Sequence, residues 1–439
     1  MESLRTLAAL ALLSGKAIYG FDVERAYLEG TLDENVYVEL PRELWSLFPE
    51  YASKVVKLQR ALYGLPQSGR AWYHRFSEFI QKKGYKRLAS DPCIYYHATN
   101  DIYIALYVDD GAVFATEHAE YKALCNELDT EFTVSRLGKI TYSLGLQFEW
   151  AADNSSVILH QKTYTRSLVD RFSSNNKVAD TPALPQGLDE DSFNKPQRAL
   201  ADAKLYRSIL GGLMFVANAT RPDIAPAVNR VARYMQRPLA GHIEAVQRIL
   251  RYLDGTDGLG VCYSRHGNIH PFACTDSNLG GDNNHERSRG GHVIMLADGP
   301  VLWKFKLQAS TATSSCEAEY IQTSEATKDV QWIRGLITEI KGSVGVNIPA
   351  TKVMCNNTAT IYICKNPQAS RRTRHIQLQH RHVRKCVEED VVKICYVPSE
   401  DNIADLATKP LARQQFVKHT EALTVAATGG VKKKVRFAL

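Results

Sequence analysis

The chain has 439 residues with 54 Lys and Arg against 47 Asp and Glu, a formal net charge of +7, and a pI near 8.8. That length is enough for two to four domains, and ordinary apolar and charged fractions of 44% and 23% exclude a disordered or fibrous chain. No stretch approaches the ~20 apolar residues needed to span a bilayer, and nine cysteines without a Cys-x-x-Cys pair speak for reduced thiols rather than a disulfide framework or a zinc knuckle.

Residues 7–13 form a short apolar run, followed by Lys16 and no cleavage-site pattern. A helix packed on the sheet that follows is expected there, not a signal peptide. Residues 17–23 read as an apolar strand with Asp22 near its end. Val36, Val38 and Leu40 alternate as a strand that stops at Pro41. Ser68 is placed to cap a helix whose apolar face is Trp72, Phe76, Phe79 and Ile80, ending at Gly84. Residues 93–96 and 102–108 predict one hairpin across Asn100-Asp101. Residues 102–108 and 112–116 predict a second, turning at Asp110-Gly111. Tyr107-Val108-Asp109-Asp110 then lies at a hairpin tip. Two adjacent carboxylates raise each other's cost of ionisation there, and divalent cations remove that cost. A helix near 117–130 and a strand carrying Leu144-Gly145-Leu146 complete a mixed α/β region, 1–155.

Residues 156–268 read as mostly helical: 164–172, 204–218, 224–235 and 242–253, with an exposed Pro-, Asp- and Asn-rich linker near 176–198. Arg221, Arg230, Arg233, Arg237, Arg248 and Arg251 either line a nucleic-acid track or occupy solvated helix faces. From 270 the pattern becomes strands at 272–276, 292–296 and 301–305, a long helix at 316–340, a strand at 352–355, helices at 359–365 and near 375–388, a strand at 391–396 and a helix from Ala404. His375, His380, His382 and Cys386 fall on a basic helix and read as solvated rather than zinc-binding. The basic run 432–436 reads as a solvated tail.

Taken in order, several strings resemble the Pol polyprotein of copia-type LTR retrotransposons, over residues 3 to 418. Residues 21–28 (FDVERAYL) resemble its first catalytic motif, 62–68 (LYGLPQS) its template- and nucleotide-positioning motif, and 107–110 (YVDD) its paired-aspartate motif. Thr181-Pro182, Arg221-Pro222-Asp223, Glu317-Ala318-Glu319-Tyr320, Ala404-Asp405 and Thr408-Lys409-Pro410-Leu411 recur in the same order. The resemblance implies an α/β (α+β) fold: a reverse-transcriptase palm with partial fingers over 1–155, a helical thumb and connection over 156–268, an RNase H-like domain over 269–418 and a basic tail over 419–439.

By that resemblance the chain is an RNA-directed DNA polymerase (reverse transcriptase) fragment performing two-metal nucleotidyl transfer. Asp22, Asp109 and Asp110, with the Val23 carbonyl, would hold two Mg²⁺ ions, or Mn²⁺. Tyr27 matches the gate against a ribose 2′-hydroxyl, and Gln67 supports the incoming nucleotide. The partners implied are an RNA template, a DNA primer, an RNA–DNA hybrid and dNTPs, with no membrane, in cytoplasmic virus-like particles or the nucleus. The triphosphate-gripping fingers segment of the family lies upstream of the first motif, and protease and integrase patterns do not occur, so the chain is expected to be the distal part of a polyprotein.

The order of elements from 270 is the one expected of an RNase H fold. There Asp276, Glu319 and Asp405 match metal-binding acids, with Glu317 the alternative on the same helix. Asn356 stands where the family has a third aspartate, and Gln377 where it usually has another. An amide offers one neutral acceptor oxygen and no charge. Impaired hybrid cleavage is therefore expected, and the competing reading is a catalytically inactive nucleic-acid-binding remnant.

Overall fold

The computed structural model describes residues 1–174, 177–184, 202–280, 287–341, 348–366, 377–408 and 410–426, the side chains of 341 and 377–380 excepted. The chain divides into two compact units, one of Gly15–Ser143 and one that joins Met1–Ser14 to Leu144–Leu439. The N-terminal helix α1 (Glu2–Leu13) belongs to the second.

The Gly15–Ser143 unit contains β1 (Ala17–Val23), α2 (Ala26–Glu29), β2 (Tyr37–Glu39), β3 (Val55–Lys57), α3 (Ser68–Lys82), β4 (Lys86–Arg87), β5 (Ile94–His97), β6 (Ile102–Tyr107), β7 (Asp110–Ala115), α4 (His118–Leu128), β8 (Val134–Lys139) and β9 (Tyr142–Ser143). Six of the strands form an antiparallel sheet in the order β4-β5-β6-β7-β1-β8. The expected α3 face forms. Trp72, Phe76, Phe79 and Ile80 recur at helical spacing and join Phe21, Val23, Ile104, Leu106, Val113, Tyr121 and Phe132 in one core. Burial of side chains that size contributes about 1.5–3 kcal/mol each. Ser68 does not cap α3: Gln67 holds that position, and the Ser68 hydroxyl donates to the Leu62 carbonyl at 2.6 Å.

The second unit continues with β10 (Leu146–Trp150), β11 (Ser156–His160), α5 (Lys162–Phe172), α6 (Ala203–Ala219), α7 (Ala225–Ala232), α8 (Ala240–Asp254) and β12 (Leu259–Ser264). All four expected helices are present. The flanking β11 and β12 correct the purely helical expectation. They pair with each other in antiparallel register, Ile158 opposite Cys262, so the four helices interrupt a sheet. Each strand is five or six residues long, and its partner lies about a hundred residues away, beyond the reach of local pattern.

There follow β13 (Phe272–Asn278), β14 (Arg289–Leu296), β15 (Gly299–Leu307), α9 (Ser315–Lys341), β16 (Thr351–Cys355), α10 (Thr358–Lys365), α11 (Gln377–Glu388), β17 (Val392–Tyr396), α12 (Arg413–Leu423) and β18 (Val425–Ala426). The sheet runs β15-β14-β13-β16-β17, antiparallel from β15 to β13 and parallel from β13 to β17. A separate run, β18-β12-β11-β10, is antiparallel. The helix expected from Ala404 is a five-residue 3-10 turn, Ile403–Ala407, and α12 begins only after Pro410.

The expected packing of α1 on the sheet at 17–23 is also corrected, since α1 sits on β12 and β15. Arg5, 1% exposed, donates to the carbonyls of Val301 (2.9 Å), Asn218 (2.7 Å) and Ala219 (2.9 Å), and its guanidinium lies 3.9 Å from the Trp303 ring centre. Two of those carbonyls end α6, where acceptors lack helical partners and a cation is favoured.

Candidate active sites

The first constellation lies at the end of β1 and the tip of the β6–β7 hairpin. Tyr107 pairs with Asp110, so the turn is Val108-Asp109, two residues earlier than the expected Asp110-Gly111. Gly111 is instead a strand residue opposite Phe21. A Cβ there would fall 2.1 Å from the Phe21 ring, so this glycine serves close packing rather than a turn. The resulting register places Asp22 directly across from Asp110. The Val23 N–H donates to the Asp109 carbonyl at 3.0 Å. Asp22 thus shares one corner of the sheet with the adjacent pair Asp109-Asp110, which is remote from it in sequence. Burial pushes the Asp22 carboxyl above its ordinary value, with the charges of Asp109 and Glu24 adding to it. Burial, Asp109 and Asp22 do the same to Asp110.

Among the described residues no group of three or more His, Cys, Asp or Glu side chains is placed to hold a metal ion; uncompensated like charges oppose such gathering. The donor chemistry at the corner is nevertheless that of a hard cation. Three carboxylates and the Val23 carbonyl are all oxygen donors, the kind a hard cation takes.

Tyr27, on α2, is half-buried against the same core. Its ring centre is 4.8 Å from that of Tyr63, and a Cβ on Gly69 would lie 3.9 Å from its Cε1. Gly30 lets α2 approach α3, because a Cβ there would meet the Trp72 nitrogen at 2.8 Å. Gln67 opens α3 by accepting the Ala71 N–H at 2.9 Å, and its buried Oε1 has no hydrogen-bond partner among the described residues. Tyr27 therefore stands beside the start of the helix that Gln67 opens. Trp72, read from the sequence as core alone, also donates its indole N–H to the Val108 carbonyl at 2.6 Å. Nothing in helical spacing signals that bond.

The second constellation gathers Asp276 at the end of β13, Glu319 on α9, Asp405 in the 3-10 turn and Asn356 after β16. The Asn356 amide donates to Asp276 Oδ1 at 2.9 Å and to Ser399 Oγ at 3.2 Å. The Thr408 hydroxyl donates to Asp276 Oδ2 at 2.8 Å and lies 3.4 Å from Asp405 Oδ1. Asn402 fixes the turn by donating to the Thr275 carbonyl at 2.9 Å and accepting the Ala404 N–H at 3.2 Å. Glu319 Oε1 accepts the Ser277 N–H at 3.1 Å, while its buried Oε2 has no partner among the described residues. Burial, then the charges of Asp276 and Asp405, push its carboxyl up to about 8.

Glu317 is separated from this group: it accepts from the Thr313 N–H (2.7 Å) and hydroxyl (2.6 Å) at the head of α9. Both oxygens of Asp276 are taken by neutral donors, and one corner is an uncharged amide. This set does not fit a pair of divalent cations.

Of the six arginines, Arg221 leaves the expected track. It is 1% exposed, bidentate to Asp223 (2.9 and 2.8 Å), and Asp223 also accepts from Tyr252 at 2.8 Å. Arg230 and Arg233 line a cavity of about 300 Å³ with Arg289, Phe305 and Thr408. Arg248 donates to Thr181 Oγ1 at 2.9 Å. All nine cysteines are free thiols. His375, part of the linker near 176–198, Lys409 and the run 432–436 lie outside the described residues, as do the side chains of Gln377 and His380. No described helix is long and apolar enough to cross a membrane.

A family model for reverse transcriptase (RNA-dependent DNA polymerase) matches residues 1–185. The retrovirus-related Pol polyprotein from transposon TNT 1-94 of Nicotiana tabacum is 31% identical over 428 residues, covering 95% of this chain and 31% of that protein. That from transposon RE1 of Arabidopsis thaliana is 31% identical over 419 residues, 94% of this chain and 28% of that protein. The putative transposon Ty5-1 protein of Saccharomyces cerevisiae is 32% identical over 314 residues, 70% of this chain and 100% of that protein. The chain belongs to the reverse transcriptases of retrotransposon Pol proteins, and within them to the copia type. It spans 31% and 28% of the length of the tobacco and Arabidopsis polyproteins.

Proposed function

We propose that this chain extends a DNA primer on an RNA template, with Asp22, Asp109 and Asp110 as the catalytic carboxylates. The observation that carries the reading is the register that sets Asp22 across from Asp110 while Val23 bonds the Asp109 backbone. When bound, two Mg²⁺ ions would lower the pKa of the primer 3′-hydroxyl and neutralise the triphosphate and leaving pyrophosphate. Asp22, Asp109, Asp110 and the Val23 carbonyl would hold them. The protein's own part is to keep these oxygens on a rigid sheet corner. Tyr27 excludes a 2′-hydroxyl from the sugar site, and Gln67 supports the nucleotide from the head of α3.

The region 269–418 is read as RNase H-like, on its β15-β14-β13-β16-β17 order and the grouping of Asp276, Glu319 and Asp405. With Asn356 in place of an acid, it binds RNA–DNA hybrid and cleaves it poorly.

Primer extension on a homopolymer RNA template with Mg²⁺ or Mn²⁺ tests the polymerase. Asp110→Asn should reduce incorporation by roughly a thousandfold while primer–template affinity and melting temperature hold. A parent chain that binds primer–template without extending it, or a variant as active as the parent, overturns the reading.

A further inference from the structure

We infer that Trp72 is a positioning residue of the polymerase site, its indole N–H fixing the turn that carries Asp109 and Asp110; this rests on the polymerase reading above. The turn has two residues, and a different element holds each one's carbonyl. The Val108 carbonyl accepts from Trp72 Nε1 of α3 at 2.6 Å, and the Asp109 carbonyl accepts from the Val23 N–H of β1 at 3.0 Å. The turn needs such ties. Val108 has φ +58°, a left-handed conformation that a β-branched side chain disfavours. Strain of that kind costs about 1–3 kcal/mol and persists only where surroundings over-determine it. Without a donor, the Val108 carbonyl would be free to rotate the peptide it belongs to, and that peptide begins the Asp109 backbone.

Trp72 is built to act as a fixed donor. It is 1% exposed, its ring centre lies 5.6 Å from that of Phe76 and 5.2 Å edge-on from that of Phe132, and Gly30 brings α2 against its backbone. The same helix begins at Gln67, and α2 carries Tyr27. One side chain therefore links the two residues assigned to the nucleotide with the hairpin assigned to the metals. A buried aromatic of equal bulk without an N–H would fill the core and leave the turn unheld.

The test compares the parent with Trp72→Phe in the full chain, using steady-state incorporation of one nucleotide and amide hydrogen exchange across residues 15–143. In the variant, exchange at 108–111 should rise at least tenfold while that of β1, β5 and α3 holds. kcat should fall about tenfold with KM for the nucleotide within twofold, a loss the size of one hydrogen bond. If phenylalanine leaves the core too loose to fold, benzothienylalanine at position 72, which keeps the bicyclic shape with sulfur in place of N–H, is read the same way. Unchanged exchange at 108–111 in a folded variant overturns the inference, as does a kcat equal to the parent's. An inactive parent whose hairpin still loosens in the variant refutes the polymerase reading and leaves the mechanical tie standing.

Discussion

Asn356 donates one hydrogen bond to Asp276 and a second to Ser399, so it stabilises the Asp276 carboxylate as a neutral donor. Replacing it with aspartate exchanges a donor for a fourth carboxyl in the group of Asp276, Glu319 and Asp405. Metal-free stability of Asn356→Asp should fall by about 1–3 kcal/mol, while cleavage of RNA–DNA hybrid in Mg²⁺ should rise at least tenfold. Melting in EDTA and in Mg²⁺, with a hybrid-cleavage assay on both proteins, checks each half. Equal cleavage would mean that the amide is not what limits the site. The strand that ends just before Asn356 was legible in the sequence, whereas the aspartate expected at 356 came from the resemblance. Helix geometry, two residues being about 200° apart, allowed only one of Glu317 and Glu319 to face the site and left open which; Glu319 accepts from Ser277 beside Asp276, while Glu317 bonds Thr313. The indole hydrogen bond of Trp72 was not legible, since its acceptor lies 36 residues away on a turn whose position the sequence misjudged.

That misjudgement belongs to the level of elements. Asp-Gly is a favoured turn dipeptide, yet here Gly111 is needed inside β7, where the Phe21 ring leaves no room for a Cβ. Cross-strand packing outweighed local preference and moved the turn to Val108-Asp109. Helices were easier: α3, α5, α6, α8 and α9 follow apolar spacing that any buried face requires. Their end chemistry was less visible, as α8 illustrates. His242 in its first turn is 2% exposed, stacks at 3.7 Å on Tyr234, and accepts the Leu239 N–H on Nδ1 at 3.0 Å. Burial pulls its pKa down to about 4. The folded state therefore favours the neutral ring. The associated stability is fully present above about pH 6.5, where the unfolded chain is also neutral, and is lost as pH falls toward 4. That loss should amount to roughly 2–3 kcal/mol. His242→Gln, which keeps a neutral acceptor, should show a shallower fall in melting temperature between pH 6.5 and 4 than the parent. Parallel curves for the two proteins would contradict the assignment.

For the molecule as a whole, the order of elements from Phe272 to Tyr396 could be read almost residue by residue, whereas the membership of α1 could not. Its apolar residues show that it is buried and say nothing about what buries it. The deciding group is Arg5, a cation that a buried helix face would ordinarily exclude. Its three acceptors, Asn218 and Ala219 at the end of α6 and Val301 in β15, all lie in the Leu144–Leu439 part of the chain. Arg5→Met keeps an apolar stem over Trp303 and leaves those carbonyls without the guanidinium, at a cost of about 3 kcal/mol or more. Hydrogen exchange on the full chain should then show lost protection in α1, α6 and β15, with the Gly15–Ser143 sheet as protected as in the parent. If protection were lost first in β1, β6 and β7 instead, α1 would belong with the Gly15–Ser143 sheet that follows it in sequence, and the division of the chain into a continuous and a discontinuous unit would be wrong.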